Sequence, residues 1–251
     1  MTNTQTQQSG PDLYNMLLFQ RNHPLAFCYG VDEQGTLVST TLERAAPLLV
    51  IDSTRTTYAC LIGTLLAQLY TKTDLTTLRV CIIEQQMLFT PLFEQGPLTM
   101  FSVKSASGLT NAFTALGEQL QQREERQTRL PPWLVLIELE AALYQNPDIK
   151  QPLSTLLTLG PARGIYPLLI ATGQDIVRAH LPMVFRHTIV LPREEQRRGI
   201  DHQNSVSGVL LQSALSKQEQ ALEPGPLSIP RADPGQIARL ISLLIAQPPQ
   251  R

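Results

Sequence analysis

The sequence predicts an α/β domain whose mostly parallel sheet is covered by helices on both faces. Short apolar runs recur along the chain, and runs without polar alternation are typical of strands buried on both faces. Segments with helical patterns separate these runs, which favours a parallel sheet. The predicted strands are residues 48–51, 78–83, 133–137, 166–171 and 188–191, and the predicted helices are 58–70, 109–126, 151–159 and 234–246.

The sequence patterns that predict the individual strands and helices differ in strength. Residues 48–51 read Leu-Leu-Val-Ile and residues 133–137 read Trp-Leu-Val-Leu-Ile, both rich in strand-forming types. The helix at 58–70 repeats leucine and isoleucine at spacings of three and four, which is the pattern of a helix with an apolar face. The order of such elements is shared by several α/β folds, so it does not by itself select a function.

Two long segments between the elements are predicted as loops. Residues 84–103 contain prolines and a glycine, and residues 194–225 are polar and end at Pro-Gly-Pro. The ends of the chain, 1–12 and 247–251, lack periodicity and are predicted to be flexible tails. Residues 13–246 are therefore predicted to form one domain.

Composition excludes several classes of protein. The chain has 251 residues with 43% hydrophobic content, enough for a sizeable core. Lys plus Arg is 20 and Asp plus Glu is 21, so no global field holds the protein on nucleic acid or an anionic membrane. No apolar run approaches the roughly 18 residues of a membrane span, and the polar start lacks signal-peptide features. A cytoplasmic protein without a membrane partner is predicted.

The cysteines and histidines do not suggest a metal site. Cys28, Cys60 and Cys81 are widely spaced among apolar residues and are predicted to be core thiols. The histidines show no ligand spacing with each other or with the cysteines. No metal site is predicted.

A resemblance to a known family begins at residues 24–66, which read PLAFCYGVDEQGTLVSTTLERAAPLLVIDSTRTTYACLIGTLL. This stretch resembles the entry segment of the motor domain of FtsK/SpoIIIE DNA translocases. Further landmarks of the family are matched in order at residues 80–97, 112–123, 130–143, 159–174 and 195–201. The resemblance implies a RecA-like fold of the P-loop NTPase type.

The phosphate-binding loop of that family is altered in this chain. Its glycines align with Asp52, Arg55 and Thr57, its lysine with Tyr58, and its magnesium-binding serine with Ala59. Phosphate binding in such a loop needs glycine amides, the lysine and the hydroxyl. The resemblance therefore implies a degenerate former nucleotide-binding loop. It comprises Asp52, Ser53, Thr54, Arg55, Thr56, Thr57, Tyr58 and Ala59.

An ordinary strand-to-helix turn is the simpler interpretation of the same segment. In that case Ser53 or Thr54 is the N-cap of the following helix. A residue other than glycine pays roughly 1–2 kcal/mol in the left-handed conformation. We therefore do not expect the backbone geometry of the family to persist at Asp52 or Arg55.

The second catalytic motif is altered as well. Residues 130–143 read LPPWLVLIELEAAL, and Glu138 aligns with the family's magnesium-binding aspartate while Leu139 aligns with its catalytic glutamate. Leucine cannot accept a proton. Glu140 is a poor substitute, because one step along an extended strand turns a side chain to the other face. The resemblance implies that no catalytic residue is intact, the degenerate positions being Tyr58, Glu138, Leu139 and Pro161.

The remaining motifs give weaker expectations. Pro161 stands where the family has an arginine finger, and Arg163 lies near enough in sequence to be considered as a substitute. Thr172 and Gln174 occupy the sensor-like segment. In a cluster of alternating charge, Arg197 and Arg198 are possible phosphate contacts.

A possible subunit boundary is indicated by an apolar segment. Met87, Leu88 and Phe93 lie in a predicted loop, where exposed apolar side chains favour association. Together with Arg163 they are predicted either to contact another subunit or, in the simpler alternative, to pack on the sheet.

Three functions remain open at this point. The first is a pseudo-ATPase that acts as a structural or regulatory subunit of a DNA-translocation or secretion-type ring, with an intact FtsK-like motor or copies of itself as partner. The second is a divergent DNA translocase that still binds ATP and magnesium. The third is a free-standing binding module that reuses the old cleft. The first implies no cofactor, and binding to double-stranded DNA is expected to be weak and salt-sensitive.

Overall fold

A computed structural model describes residues 16, 23–55, 57–70, 77–84, 88–89, 99–102, 106–125, 130–140, 144–179, 184–191, 205–212 and 225–230. The strands are β1 Ala26–Val31, β2 Leu37–Thr41, β3 Leu48–Asp52, β4 Arg79–Glu84, β5 Thr99–Ser102, β6 Trp133–Glu138, β7 Ile165–Ala171, β8 His187–Leu191, β9 Ser205–Gln212 and β10 Gly225–Pro230. The helices are α1 Leu42–Ala45, α2 Tyr58–Tyr70, α3 Ala106–Glu125, α4 Pro147–Leu159 and α5 Gly173–Ala179, with a 3-10 turn at Pro161–Arg163.

All the strands belong to a single sheet with the order β2-β1-β10-β9-β8-β3-β7-β6-β4-β5. From β8 to β5 the neighbouring strands are parallel. From β8 to β2 the pairing is antiparallel. Helices connect the parallel strands, because a parallel connection needs a crossover segment. Helix α2 also packs against the antiparallel strands β1 and β10.

The two faces of the parallel strands are covered by different helices. Leu134 and Leu136 of β6 belong to the core that includes α2, while Val135 and Ile137 belong to the core that includes α3 and α4. This alternation is the period of two expected for a strand. Strands β3, β4, β6 and β7 are thus buried on both sides, as their unbroken apolar composition predicts.

The ends of helix α4 show how local sequence sets an element's bounds. Asn146 is the N-cap, and its side chain accepts a hydrogen bond from the Asp148 amide at 3.0 Å. Pro147 occupies the first turn, where its missing N–H costs nothing. At the other end Gly160 has backbone atoms 2.4 Å and 2.8 Å from the position of a Cβ, so only glycine fits there.

The predicted strands are all present, and three of the predicted helices correspond to α2, α3 and α4. The predicted helix at 234–246 lies outside the described residues. The two loop predictions are wrong in part, because β5 lies within 84–103 and β9 within 194–225. Strand β9 contains Ser, Gly and Gln among its apolar residues, and its antiparallel partners rather than its composition stabilise it. The 1–12 and 247–251 tails also lie outside the described residues.

The length and the hydropathy of a helix together decide whether it can cross a membrane. Within the part of the chain that the structure describes, no helix combines the length and the apolar character needed to cross a membrane.

Candidate functional site

The carboxyl ends of β3, β4, β6 and β7 meet at one edge of the sheet, and each of them ends beside a polar side chain. Ile83 of β4 pairs with Ile137 of β6, so Glu84 and Glu138 are the next residues of two adjacent strands. Asp52 ends β3, and Thr172 follows β7 directly. This edge is where open α/β sheets bind their ligands, and we call it the carboxyl edge.

The Asp52 carboxylate lies at the N-terminus of α2. It accepts hydrogen bonds from the Tyr58 amide at 2.7 Å, from the Thr54 amide at 2.9 Å and from the Thr54 hydroxyl at 2.7 Å. The side chain is buried, with no exposed surface. A negative charge here compensates the positive end of the helix dipole. Asp52 therefore occupies the position that an anion takes at a helix N-terminus.

This arrangement corrects the simpler interpretation of the turn. Neither Ser53 nor Thr54 is the main cap of α2, since Asp52 binds the first helical amide. Thr54 does contribute, because its hydroxyl accepts a hydrogen bond from the Thr57 amide at 3.3 Å. A capping role from a residue six positions before the helix has no signature in the usual N-cap pattern.

Arg55 links the turn to strand β6 and to helix α5. Its Nη2 lies 2.7 Å from Oδ2 of Asp175, and its Nη1 lies 4.0 Å from Oε1 of Glu138. The Arg55 backbone has φ = 57°, in the left-handed region. Our expectation that the left-handed geometry would be lost was therefore wrong at Arg55, although an arginine replaces the glycine. The ion pair offsets the cost of that conformation.

Asp175 is held in place from the end of β7. The Thr172 amide donates to its Oδ2 at 3.1 Å and the Thr172 hydroxyl donates to the same oxygen. Asp175 is buried although it lies in the first turn of α5. Of the two sensor-like residues, Thr172 thus belongs to the cluster, whereas Gln174 is exposed.

Tyr58 fills the interior of the cluster. Its side chain is completely buried, and its ring lies 6.1 Å from that of Phe89. Burial raises the pKa of Tyr58 far above its ordinary value, and the charges of Glu138, Glu84 and Asp52 raise it further. The Tyr58 hydroxyl has no hydrogen-bond partner among the described residues.

Glu84 is another buried acid of the same cluster. The Phe89 amide donates to its Oε1 at 3.0 Å, while Oε2 has no partner within the described part of the chain. The pKa of Glu84 is raised to about 7, first by burial and second by the charge of Glu138, against the hydrogen bonds from Phe89 and Leu88 that lower it. Glu84 is therefore substantially protonated near neutral pH.

These residues do not fit a nucleotide phosphate with its magnesium ion. The helix N-terminus is occupied by the Asp52 carboxylate, which would repel a phosphate. Ala59 has no hydroxyl for a metal ion, and Leu139 is a buried alkyl side chain at the end of β6. Glu140, next along, is half-buried. No group of three metal-ligating side chains occurs among the described residues.

The other predicted positions lie elsewhere. Pro161 and Arg163 precede β7, so they lie at its amino end, roughly 20 Å from Thr172 at the rise of a strand. The Arg163 guanidinium contacts Glu124 Oε2 at 2.9 Å and donates to the Leu120 carbonyl at 3.3 Å. Pro161 borders a surface cavity of about 340 Å³ at this amino edge. The structure therefore separates these two residues from the cluster.

Some predicted positions receive no description. Thr56, Met87, Phe93, Arg197 and Arg198 lie outside the described residues. Leu88 is half-buried and packs against the core that includes α2. The subunit boundary and the phosphate contacts stay predictions.

Sequence reasoning missed Asp175 and gave Glu84 no role. Glu84 is the last residue of the buried strand β4, and Asp175 follows the buried strand β7 by four residues. An acidic residue at the carboxyl end of a parallel strand is the signal that could have identified them. From the sequence, Arg55 was interpreted only as the replacement of a glycine in the family's loop. The alignment of a motif does not indicate which new contacts the replacing side chain makes.

Comparison with solved structures shows the fold. The cytoplasmic domain of the type VII secretion ATPase EccC of Thermomonospora curvata superimposes with a TM-score of 0.69 at 13% identity, covering 96% of this chain and 35% of that one. EssC (ATPases 2 and 3) from Geobacillus thermodenitrificans gives 0.61 at 13% identity, covering 88% and 48%. The pCW3 conjugation coupling protein TcpA, in its monomer form with ATPγS, gives 0.58 at 12%, covering 87% and 71%.

These likenesses confirm the predicted RecA-like α/β fold. The chain spans about a third to a half of the length of the first two of these proteins. No family model matches the sequence, and no curated protein matches it significantly. The fold is thus that of P-loop ATPases from secretion and conjugation systems, at an identity too low to carry their activity.

Proposed function

We propose that this chain is a pseudo-ATPase domain that serves as a structural or regulatory subunit of a DNA-translocation or secretion-type motor ring. The observation that carries the proposal is the carboxyl edge, where the residues at the motif positions cannot support phosphoryl transfer. Tyr58 is a buried aromatic side chain in the place of the lysine, and Leu139 is a buried alkyl side chain in the place of the base. Positioning groups and charge stabilisation supply nearly all of the catalysis in this class of reaction.

The motor context rests on the structural neighbours. They are described as ATPases of type VII secretion and as a conjugation coupling protein. We propose that a domain that keeps this fold without the catalytic groups acts through its contacts with neighbouring subunits. We therefore propose an intact FtsK-like motor protein, or further copies of this chain, as the partner. Double-stranded DNA binding is proposed to be weak, since the net charge is −1.

ATP turnover tests the enzymatic half of the proposal. Purified chain with ATP, magnesium and duplex DNA is expected to show no turnover above a blank without protein. Tyr58→Lys restores only the missing cation and is expected to stay inactive, because Leu139 still offers no base. Turnover near about 1 per second that disappears in Glu138→Ala would support a divergent ATP-dependent translocase instead.

Association tests the other half. Size measurement by light scattering, alone and mixed with an intact FtsK-like motor from the same host, is expected to show a joint complex or a self-assembled ring. A Leu88→Glu variant tests the predicted boundary, with Leu159→Glu, an exposed leucine on α4, as the matched control. A strict monomer that joins no motor would favour the free-standing binding module.

A further inference from the structure

The charges of the β3–α2 turn have the arrangement that a bound ligand would have. An anion, the Asp52 carboxylate, lies on the amides at the N-terminus of α2. A cation, the Arg55 guanidinium, lies between the carboxylates of Glu138 and Asp175. We propose that Asp52 and Arg55 are a built-in substitute for a nucleotide phosphate and its metal ion, which occupies their positions and excludes nucleotide from the turn.

The anion half follows from competition for the same donors. The Tyr58 and Thr54 amides both donate to Asp52, so an external phosphate has to displace a carboxylate that already binds them. Asp52 is part of the chain and loses no translational freedom on binding, whereas a free anion does. The carboxylate also repels a second anion at the same place.

The cation half follows from the contacts of Arg55. The guanidinium reaches the end of β6 and the start of α5 from the β3–α2 turn, so it connects three separate elements. Capping of α2 requires the Asp52 carboxylate and does not involve the side chain of Arg55. The left-handed backbone conformation costs free energy at Arg55 that it would not cost at a glycine. This indicates that the contacts of the arginine side chain offset the cost.

The inference rests on the proposed function in one respect only, since both exclude turnover. It goes further, because it states that nucleotide does not bind and that the chain's own charges take the place of the phosphate and the metal ion. A chain that bound ATP without hydrolysing it would satisfy the proposed function and contradict this inference.

Thermal unfolding with sodium pyrophosphate as the probe tests the anion half. The Tm of the wild-type chain is expected to shift by less than about 1 °C when pyrophosphate is added, relative to chloride at equal ionic strength. The Asp52→Ala variant exposes the amides, and pyrophosphate at about 100 times Kd is expected to raise its Tm by about 5 °C. Asp32→Ala is the matched control, since Asp32 accepts hydrogen bonds from the Gln34 and Thr36 amides in an exposed turn.

The controls decide between outcomes. Asp32→Ala is expected to respond to pyrophosphate no more than the wild type does. Asp52→Asn keeps a side-chain acceptor but removes the charge, so it is expected to show a smaller gain and serves if Asp52→Ala does not fold. A wild-type chain that ATP or pyrophosphate stabilises as strongly as the variants overturns the inference. So does a folded Asp52→Ala that gains no anion-dependent stability.

Discussion

The two edges of the parallel sheet both carry arginines, and they use them differently. At the carboxyl edge Arg55 binds two buried carboxylates from other elements. At the amino edge Arg163 binds the largely exposed Glu124 and the Leu120 carbonyl, both on α3, and Arg123 donates to the Arg163 carbonyl. At the carboxyl edge the arginine pairs with buried carboxylates, whereas at the amino edge it pairs with an exposed one.

The difference shows where the chain has replaced ligand contacts with its own. An edge built to bind an anion presents amides and cations that must be satisfied when no ligand is bound. At the carboxyl edge Asp52 and Arg55 satisfy them internally. The amino edge has no such requirement, so its arginines pack along α3 and bind main-chain carbonyls.

The largest expected effect is that of Arg55→Ala. Removing the cation leaves the buried carboxylates of Asp175 and Glu138 without the charge of Arg55, which we expect to lower the free energy of unfolding by about 2–3 kcal/mol. This is at or below the low end of the roughly 3–5 kcal/mol lost when a fully buried pair is broken, because Arg55 keeps 27% of its side chain exposed. Urea unfolding followed by circular dichroism measures this change.

Arg163→Ala is the matched control at the amino edge. Glu124 keeps 63% of its side chain exposed, so we expect a loss within about 1 kcal/mol. Arg55→Gly also loses the ion pair but relaxes the left-handed backbone, and it is expected to be about 1 kcal/mol more stable than Arg55→Ala. Equal losses in Arg55→Ala and Arg163→Ala would remove the distinction between the two edges.

The next effect is the pH dependence that Glu84 gives to the carboxyl edge. Its pKa is about 7 in the folded chain against 4.5 for the free side chain, so the folded state binds more protons between these values. The contribution of Glu84 is complete below about pH 4.5 and is lost as the pH rises through about 7. The loss amounts to up to about 3 kcal/mol. Stability curves of the wild type and Glu84→Gln, compared point by point from pH 4.5 to 7.5, measure it. Curves that stay parallel would contradict the protonated state of Glu84.

The amino edge is expected to respond to pH with the opposite sign. The pKa of His187, at the start of β8, is lowered to about 4, mainly by burial and also by the charge of Arg186. The unfolded chain therefore binds more protons between pH 4 and 6.5, and the contribution of His187 is lost as the pH falls through this window. The Glu84→Gln variant lacks the response of Glu84 and keeps that of His187, so its stability is expected to rise from pH 4.5 to 6.5. A flat curve for that variant would contradict the neutral state of His187.

The fold could be predicted from the sequence because its central strands are apolar on both faces. A strand that is covered on both faces buries all the adjacent apolar side chains of residues 48–51 and 133–137. The antiparallel strands β9 and β10 could not be predicted in this way, since pairing with neighbours stabilises them and their own composition is mixed.

Some of the predicted motif positions lie together in the structure, but the contacts that connect them were not predicted. The motif positions Asp52, Tyr58 and Glu138 do meet at one edge, as the strand-to-helix order requires. The partner of Arg55 could not be predicted, because Asp175 lies 120 residues away in sequence and an ion pair at this separation leaves no local pattern. Which positions approach each other depends on the packing of the whole sheet.

The smallest expected effect separates Tyr58 from a tyrosine that has a partner. The Tyr58 hydroxyl is buried without a hydrogen-bond partner among the described residues, so Tyr58→Phe removes a polar group that gains nothing from folding. We expect this variant to be equally stable or up to about 1 kcal/mol more stable than the wild type. Tyr29→Phe is the matched control, since the Tyr29 hydroxyl and His187 Nδ1 form a buried hydrogen bond of 2.7 Å. Its loss is expected to cost about 1–2 kcal/mol, because the histidine nitrogen is then left buried without a partner. Urea unfolding at pH 7 measures both variants. If Tyr58→Phe costs as much as Tyr29→Phe, the Tyr58 hydroxyl has a partner, and the interior of the carboxyl edge is held together by a contact of this aromatic side chain as well as by the Arg55 ion pair.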